Sequence, residues 1–404
     1  MTTTQLSETT RGRSRLPGIV YVLAAGVFLM GTTEFVVAGI LPEIATDLDI
    51  TVADAGLMVT VFAVGMIVGT PLMAVATLRL RRRVTLALAL VVFAIGHVIV
   101  AVSSSFPVIL GARFLTALST GGFWAVAAVV AARAACAGAS SRALGIVLGG
   151  GMLANVIGVP LGAFAGQTIG WRGPFWALTF LALVGAVVIY RLTPDDSSDD
   201  PAPSIRRELT SLRDVRVWLV LAGCVAVCGS SLAVYTFIAP LLTDNTGLSS
   251  AVVPLVLMVY GAGALIGSNL GGRLGARRPY GVLFAAAIMT FLVLVLLGLL
   301  SHHAIVTVAL IGFLGLFGMS TNPVLIGKAV RYADQAPTLA SALCTSAFNV
   351  GTALGSWMAA GALDSAWGPT GPVVVGAAVA AFYLIPLVLL LMRDRADSRA
   401  STVR

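Results

Sequence analysis

One carboxylate stands where the chain is otherwise almost purely apolar. It is Glu34, in the run Gly31-Thr32-Thr33-Glu34-Phe35 inside the stretch 17–41. A charge carried into a hydrocarbon core costs a few kcal/mol or more unless it is paired, protonated or facing water. Glu34 is therefore a candidate for carrying a proton. A second charge, Arg113, lies in a later apolar stretch, followed at i+3 and i+7 by Thr116 and Thr120, so the three share one helical face. At 1.5 Å per residue Glu34 lies roughly 12 Å below one membrane face, and Arg113, on a helix running the other way, reaches a comparable depth. A nearby guanidinium favours an ionised carboxylate and an apolar surrounding favours the protonated form. A site that alternates between the two environments loads and releases a proton; a permanent ion pair locking two helices is the competing reading of the same residues.

These side chains need elements to hold them at that depth, and composition says which. The 404-residue chain is 58% hydrophobic and only 10% charged, against about 25% charged in soluble domains, and its mean hydropathy is +0.99. It is an integral membrane protein. Apolar runs near 17–41, 52–76, 84–102, 107–132, 143–169, 173–191, 216–241, 251–271, 280–300, 304–327, 339–363 and 371–392 are each long enough to cross a hydrocarbon core about 30 Å thick. A transmembrane barrel would show strands of about ten residues with alternating polarity, so the continuous runs exclude it. The 44 glycines suit close helix packing in lipid. The expected fold class is an all-α membrane protein of twelve transmembrane helices in two pseudo-symmetric six-helix bundles.

The arginines confirm the count of spans. Arg11, Arg13 and Arg15, then Arg79, Arg81, Arg82 and Arg83, then Arg133 and Arg142, the group from Arg191 to Arg216, Arg273, Arg277 and Arg278, Lys328 and Arg331, and Arg393 to Arg404 all fall on one side if twelve spans alternate. The positive-inside rule makes that side cytoplasmic, with both termini on it. The opposite loops carry Glu43, Asp47, Asp49, Asp54 and Asp244. The net charge of +8 is thus a topology signal with anionic lipid contact, not a nucleic-acid footprint. The expected organisation is a tail (1–16), a first bundle (17–191), a polar, Pro-rich linker (192–215), a second bundle (216–392) and a tail (393–404). The halves echo each other: Gly65-x-x-x-Gly69 leads to Arg79 as Gly263-x-x-x-Gly267 leads to Arg273, and Asn155, Gly158 and Gly162 are matched by Asn349, Gly351 and Gly355. Two related halves with a midplane site are how alternating-access carriers are built.

The residues resemble the major facilitator superfamily, specifically its twelve-span drug:proton antiporters, from the first span to the last. Gly69 with Arg79, Arg82 and Arg83 is similar to the family's loop motif after span 2, although Thr77 and Leu78 stand where an acid is usual. Arg113 followed by Gly121-Gly122 looks like the family's span 4 motif, and Gly158-Val159-Pro160-Leu161-Gly162 like its antiporter motif. Thr32-Thr33-Glu34-Phe35, Gly121-Gly122-Phe123-Trp124 and Gly170-Trp171-Arg172-Gly173-Pro174-Phe175-Trp176 resemble the bacterial chloramphenicol-resistance exporters. The resemblance implies that spans 1, 4, 7 and 10 line a cavity for a small drug. Its expected lining is Phe35, Thr116, Thr120, Phe123, Trp124, Asn155, Tyr235, Asn322 and Asn349, with Glu34 and Arg113 in proton coupling.

Plainer readings compete at single positions. Serine and threonine hydroxyls in helices commonly bond their own backbone carbonyls. His97, alone in span 3, reads as a packed, hydrogen-bonded histidine; Pro71, Pro160, Pro240 and Pro323 are bends, mobile or static. The four cysteines imply neither disulfides nor a metal. No catalytic set, nucleotide loop or metal cluster is present, which argues against an enzyme and against an ATP-driven pump. The sequence points to proton-coupled efflux of a small amphipathic antibiotic, chloramphenicol foremost, by a monomer needing no cofactor beyond the proton gradient. Export of a sugar or nucleoside is the alternative, with a channel or membrane-embedded enzyme further off.

Overall fold

The computed structural model describes residues 16–76, 81–134, 139–193, 214–333 and 337–402, so Arg79, most of the linker and nearly all of the N-terminal tail lie outside the described residues. Span 1 is an α-helix over Gly18–Phe35 that tightens into a 3₁₀ turn over Val36–Gly39. A short surface helix, Leu41–Leu48, follows it. Spans 2, 3 and 4 are Val52–Ala76, Arg82–Val102 and Phe106–Ala134. Span 5 joins Ser140–Leu153 to Val159–Ile169 through a wide π turn, Ala154–Gly158, and span 6 is Gly173–Leu192. The π turn has a covalent cause: Pro160 has no N–H to give to the carbonyl of Val156, and the ladder re-registers so that the Val159 N–H reaches the Ala154 carbonyl.

Spans 7, 8 and 9 are Val215–Thr236, Val253–Gly275 and Pro279–Leu300. Span 10 is broken at Thr321 into Ala304–Ser320 and Asn322–Tyr332, two residues ahead of Pro323 in the chain. Span 12 is a helix over Gly371–Thr402, running past residue 392 into the expected tail. Among the described residues, eleven segments are both long and apolar enough to cross a membrane. The twelfth expected span, Pro337–Leu363, has the length but carries Thr345, Ser346, Asn349, Thr352 and Ser356. Those polar groups are tolerated because it packs against spans 2 and 7, and Thr352, Ser356 and Asn349 are buried.

The distribution of apolar packing sets the conformation. On the face bearing the acidic loops, one continuous core joins both halves, running from Val36, Val37 and Ile40 through Val159 and Phe175 to Tyr235, Phe237, Leu257 and Ala359. On the arginine-rich face two separate cores form. One belongs to the first six spans, around Leu23, Phe93 and Phe123; the other belongs to the last six, around Val220, Leu325 and Tyr383. The halves are therefore zipped at the acidic face and separately packed at the basic face.

The seam is built from close approaches. Thr60 Oγ1 and Ser356 Oγ are 2.7 Å apart between spans 2 and 11, and Gln167 Nε2 donates to the Ser250 carbonyl at 3.0 Å. Phe237 packs onto Gly56, and the backbone of Asn155 onto Gly261. Arg172 ties the rim of the first half together by pairing with Asp47 and donating from Nη2 to the Ser103 carbonyl at 3.2 Å.

Candidate functional site

Glu34 occupies the last α-helical turn of span 1, immediately before the 3₁₀ turn, and is half-buried. No hydrogen bond or ion pair is made to it among the described residues. Its neighbour Phe35 meets Tyr235 of span 7 edge-on, with ring centroids 5.7 Å apart, and Tyr235 packs on Tyr260 of span 8 at 4.4 Å. Glu34 is also within electrostatic range of Tyr235 and Cys228. The carboxylate thus faces the other half across the seam.

Arg113 is wholly buried in span 4. Its Nη1 donates to the Thr33 carbonyl at 3.0 Å and to Thr33 Oγ1 at 2.9 Å, and its Nε donates to the Met58 carbonyl at 3.4 Å. The guanidinium lies over the Phe62 ring, 4.4 Å from its centroid. Nη2 has no protein partner. Glu34 and Arg113 feel each other's charge but form no ion pair among the described residues. The permanent ion pair that the sequence left open is therefore not the arrangement adopted.

The other expected cavity residues divide. Among the described residues, the Tyr235 hydroxyl, Trp124 Nε1, Asn322 Oδ1 and Asn349 Oδ1 are buried without a protein partner, as are the hydroxyls of Tyr260 and Ser231, which the expected lining did not include. Buried polar atoms seldom stay unpaired, which sets these groups apart from the satisfied hydroxyls around them. Asn155 sits in the π turn, with Nδ2 3.4 Å from the Gly151 carbonyl. Thr116 and Thr120 do not supply free hydroxyls: both are fully buried and bond the carbonyls of Arg113 and Thr116, each at 2.8 Å. Phe123 is likewise buried, packed onto Gly26 of span 1. All three side chains, Thr116 and Thr120 expected from spacing and Phe123 from the resemblance, point into helix packing.

The profile of the Major Facilitator Superfamily matches residues 23–340 and again 220–403. The chain belongs to the Major Facilitator Superfamily. It is 36% identical over 361 residues to a chloramphenicol resistance protein of Streptomyces lividans, covering 89% of this chain and 92% of that protein. It is 31% identical over 376 residues to the inner membrane transport protein YdhP of Escherichia coli K12, covering 93% and 96%. Its fold matches a bacterial homologue of the human lysosomal transporter Spinster, crystallised in an inward-facing, unoccupied conformation, with a TM-score of 0.73 over 93% of this chain and 96% of that one at 15% identity. The protein is a transporter of this superfamily, not an enzyme, and crosses the membrane many times.

The superfamily-like motifs take up packing positions. Gly69 faces the backbone of Leu118 in span 4, and Gly267 faces that of Leu316 in span 10, each within its own half. Gly158 and Gly162 let span 5 lie on Thr32 and Val36 of span 1, where a Cβ on Gly158 would stand 2.0 Å from Thr32 Oγ1. Pro160 is buried just beyond the π turn. Arg82 opens span 3, Arg83 stacks over Tyr190 at 5.1 Å, and Arg273 is exposed in the last turn of span 8.

Two clusters went unread in the sequence. Thr33 and His97 bridge spans 1 and 3 behind Arg113, with Thr33 Oγ1 and His97 Nε2 2.7 Å apart. At the basic face, Asp394 of span 12 accepts from Tyr280 Oη at 2.5 Å, Tyr332 Oη at 2.6 Å and Lys328 Nζ at 3.3 Å. The Lys328 ammonium also sits 3.8 Å from the Tyr280 ring centroid. The knot lies on the part of span 12 that continues beyond residue 392. Lys328, which the sequence placed just past span 10, lies inside its helix four residues before Tyr332.

Proposed function

We propose that this protein exports a small amphipathic antibiotic, chloramphenicol foremost, in exchange for protons by alternating access. The observation that carries the proposal is the unpaired Glu34 beside a buried Arg113 whose Nη1 and Nε are bonded elsewhere, at a seam where Phe35 and Tyr235 of opposite halves meet. A carboxylate with no fixed partner, facing the other half of the molecule, is free to change protonation as the halves rock. A fixed ion pair is not. Unpaired amide, indole and phenol groups offer hydrogen bonds to a neutral polar drug, and the aromatic rings offer apolar surface. The positive-inside rule makes the arginine-rich face cytoplasmic, so the present conformation is open toward the drug's side of entry. The chloramphenicol resistance protein named above supports the substrate.

Two measurements test this. Expression in a sensitive host should lower accumulation of radiolabelled chloramphenicol, and a protonophore should restore it; unchanged accumulation under both conditions would remove the substrate. In proteoliposomes Glu34→Gln should abolish drug-driven proton movement. Coupling that survives this substitution refutes the role of Glu34.

A further inference from the structure

Proton coupling through Glu34 gives no task to Thr33 or His97, yet Thr33 holds Arg113 and His97 holds the Thr33 hydroxyl. His97 is buried in span 3, with Nδ1 2.7 Å from the Phe93 carbonyl and Nε2 2.7 Å from Thr33 Oγ1. A carbonyl only accepts, so Nδ1 carries the proton. Nε2 of the neutral ring is then an acceptor, and the Thr33 hydroxyl must donate to it. That orientation turns the hydroxyl lone pairs to the 2.9 Å contact with Arg113 Nη1, which only donates. Every donor meets an acceptor in one direction, from Arg113 through Thr33 and His97 to Phe93.

Thr33 departs from local habit to do this. Thr32, its neighbour, returns its hydroxyl to the Phe28 carbonyl at 2.8 Å as helix threonines commonly do, whereas Thr33 sends its own across to span 3. Span 3 is brought close by Gly96, where a Cβ would stand 2.4 Å from Thr116 Cγ2 of span 4. Both hydrogens of Nη1 go to Thr33, and Nη2 is left without a partner although Glu34 is the next residue along span 1.

We infer that Thr33 and His97 are positioning residues, forming a directional hydrogen-bonded tether that holds the Arg113 guanidinium off Glu34 in this conformation. The inference rests on Glu34 being the proton carrier, and it names what keeps that carboxyl from being locked. Releasing the tether lets Arg113 turn its free Nη2 to the carboxylate and pair with it.

The test does not depend on the drug. Dicyclohexylcarbodiimide modifies protonated carboxyls in apolar sites, so the labelled Glu34 peptide is quantified by mass spectrometry on the full-length protein in liposomes, with Glu34→Gln as the blank. Thr33→Val keeps the shape and removes the hydroxyl; His97→Phe keeps a planar ring and removes the acceptor. Both should label at least fivefold more slowly than wild type. Thr33→Ser and His97→Gln, which preserve the donor and acceptor, should label like wild type. Wild-type labelling in Thr33→Val, equal losses in all four variants, or no labelling of the wild type would each overturn the tether. If Glu34→Gln retained proton coupling while the carbodiimide pattern held, the coupling role would fall and the tether would stand.

Discussion

The seam between spans 5 and 8 gives the sharpest perturbation. Gly261 faces backbone, not side chain: a Cβ there would lie 2.3 Å from the Asn155 carbonyl oxygen, 2.7 Å from its carbon and 2.9 Å from Val156 Cα. Ordinary contact begins near 3.4 Å, so the two helices must part by 3.4 − 2.3, about 1 Å. No rotamer change relieves this. Overpacking of this kind costs about 1–3 kcal/mol, and the cost falls only on the conformation zipped at the acidic face. Each 1.4 kcal/mol is a factor of ten in a two-state ratio, so Gly261→Ala should raise the ratio of open to closed acidic face by about 5- to 150-fold. The gain in helix propensity, up to about 1 kcal/mol, is the same in both conformations and cancels. Gly149→Ala is the control, since it lies in span 5 with nothing within 4 Å. Spin labels on cysteines introduced at Thr168 and Ser249, in a protein stripped of its native cysteines, report the width of the acidic-face mouth by electron double resonance. A longer distance population should grow in Gly261→Ala and stay at the parent level in Gly149→Ala. Identical distributions in parent and Gly261→Ala would refute the reasoning that this backbone contact closes the seam.

Two further outcomes concern stability. Asp47 is held below the usual carboxylate range by its hydrogen bond to Arg172. Its folded value is depressed, so the pair's contribution is present above the ordinary carboxylate range and is lost as pH falls through the folded value; being largely exposed, the pair should supply about 1 kcal/mol or less. Melting temperature measured from pH 3 to 7 in detergent should show this acid-side loss in the wild type and a flatter profile in Asp47→Asn. At the basic face, Lys328→Met leaves Asp394 with Arg216, whose Nη1 is 3.9 Å away, as a remaining ion-pair partner among the described residues. Losing one partner of a buried pair should cost about 3 kcal/mol, and adding Asp394→Asn should recover most of it, read as thermal unfolding of single and double variants.

Much of this molecule was legible in its residues because membrane burial is an absolute constraint. A hydrocarbon core forces long apolar helices, so their number and direction follow from run lengths and from where the arginines fall. The cost of a charge in that core singled out Glu34 and Arg113 without any neighbour being known. What the sequence could not decide is which way a polar side chain faces among twelve packed helices. Thr116 and Thr120 have the spacing of a lining face yet bond carbonyls one turn back in their own helix, and Phe123 packs onto Gly26. Thr33 and His97 come from different spans, 64 residues apart, and nothing local marks them as partners. Glu34 and Arg113, equal in depth, were free to pair or to stand apart; only the packed structure, by giving Arg113 Nη1 both oxygens of Thr33, settled that they stand apart. Depth and charge are properties of one chain segment, whereas a hydrogen bond's direction depends on where several segments come to rest.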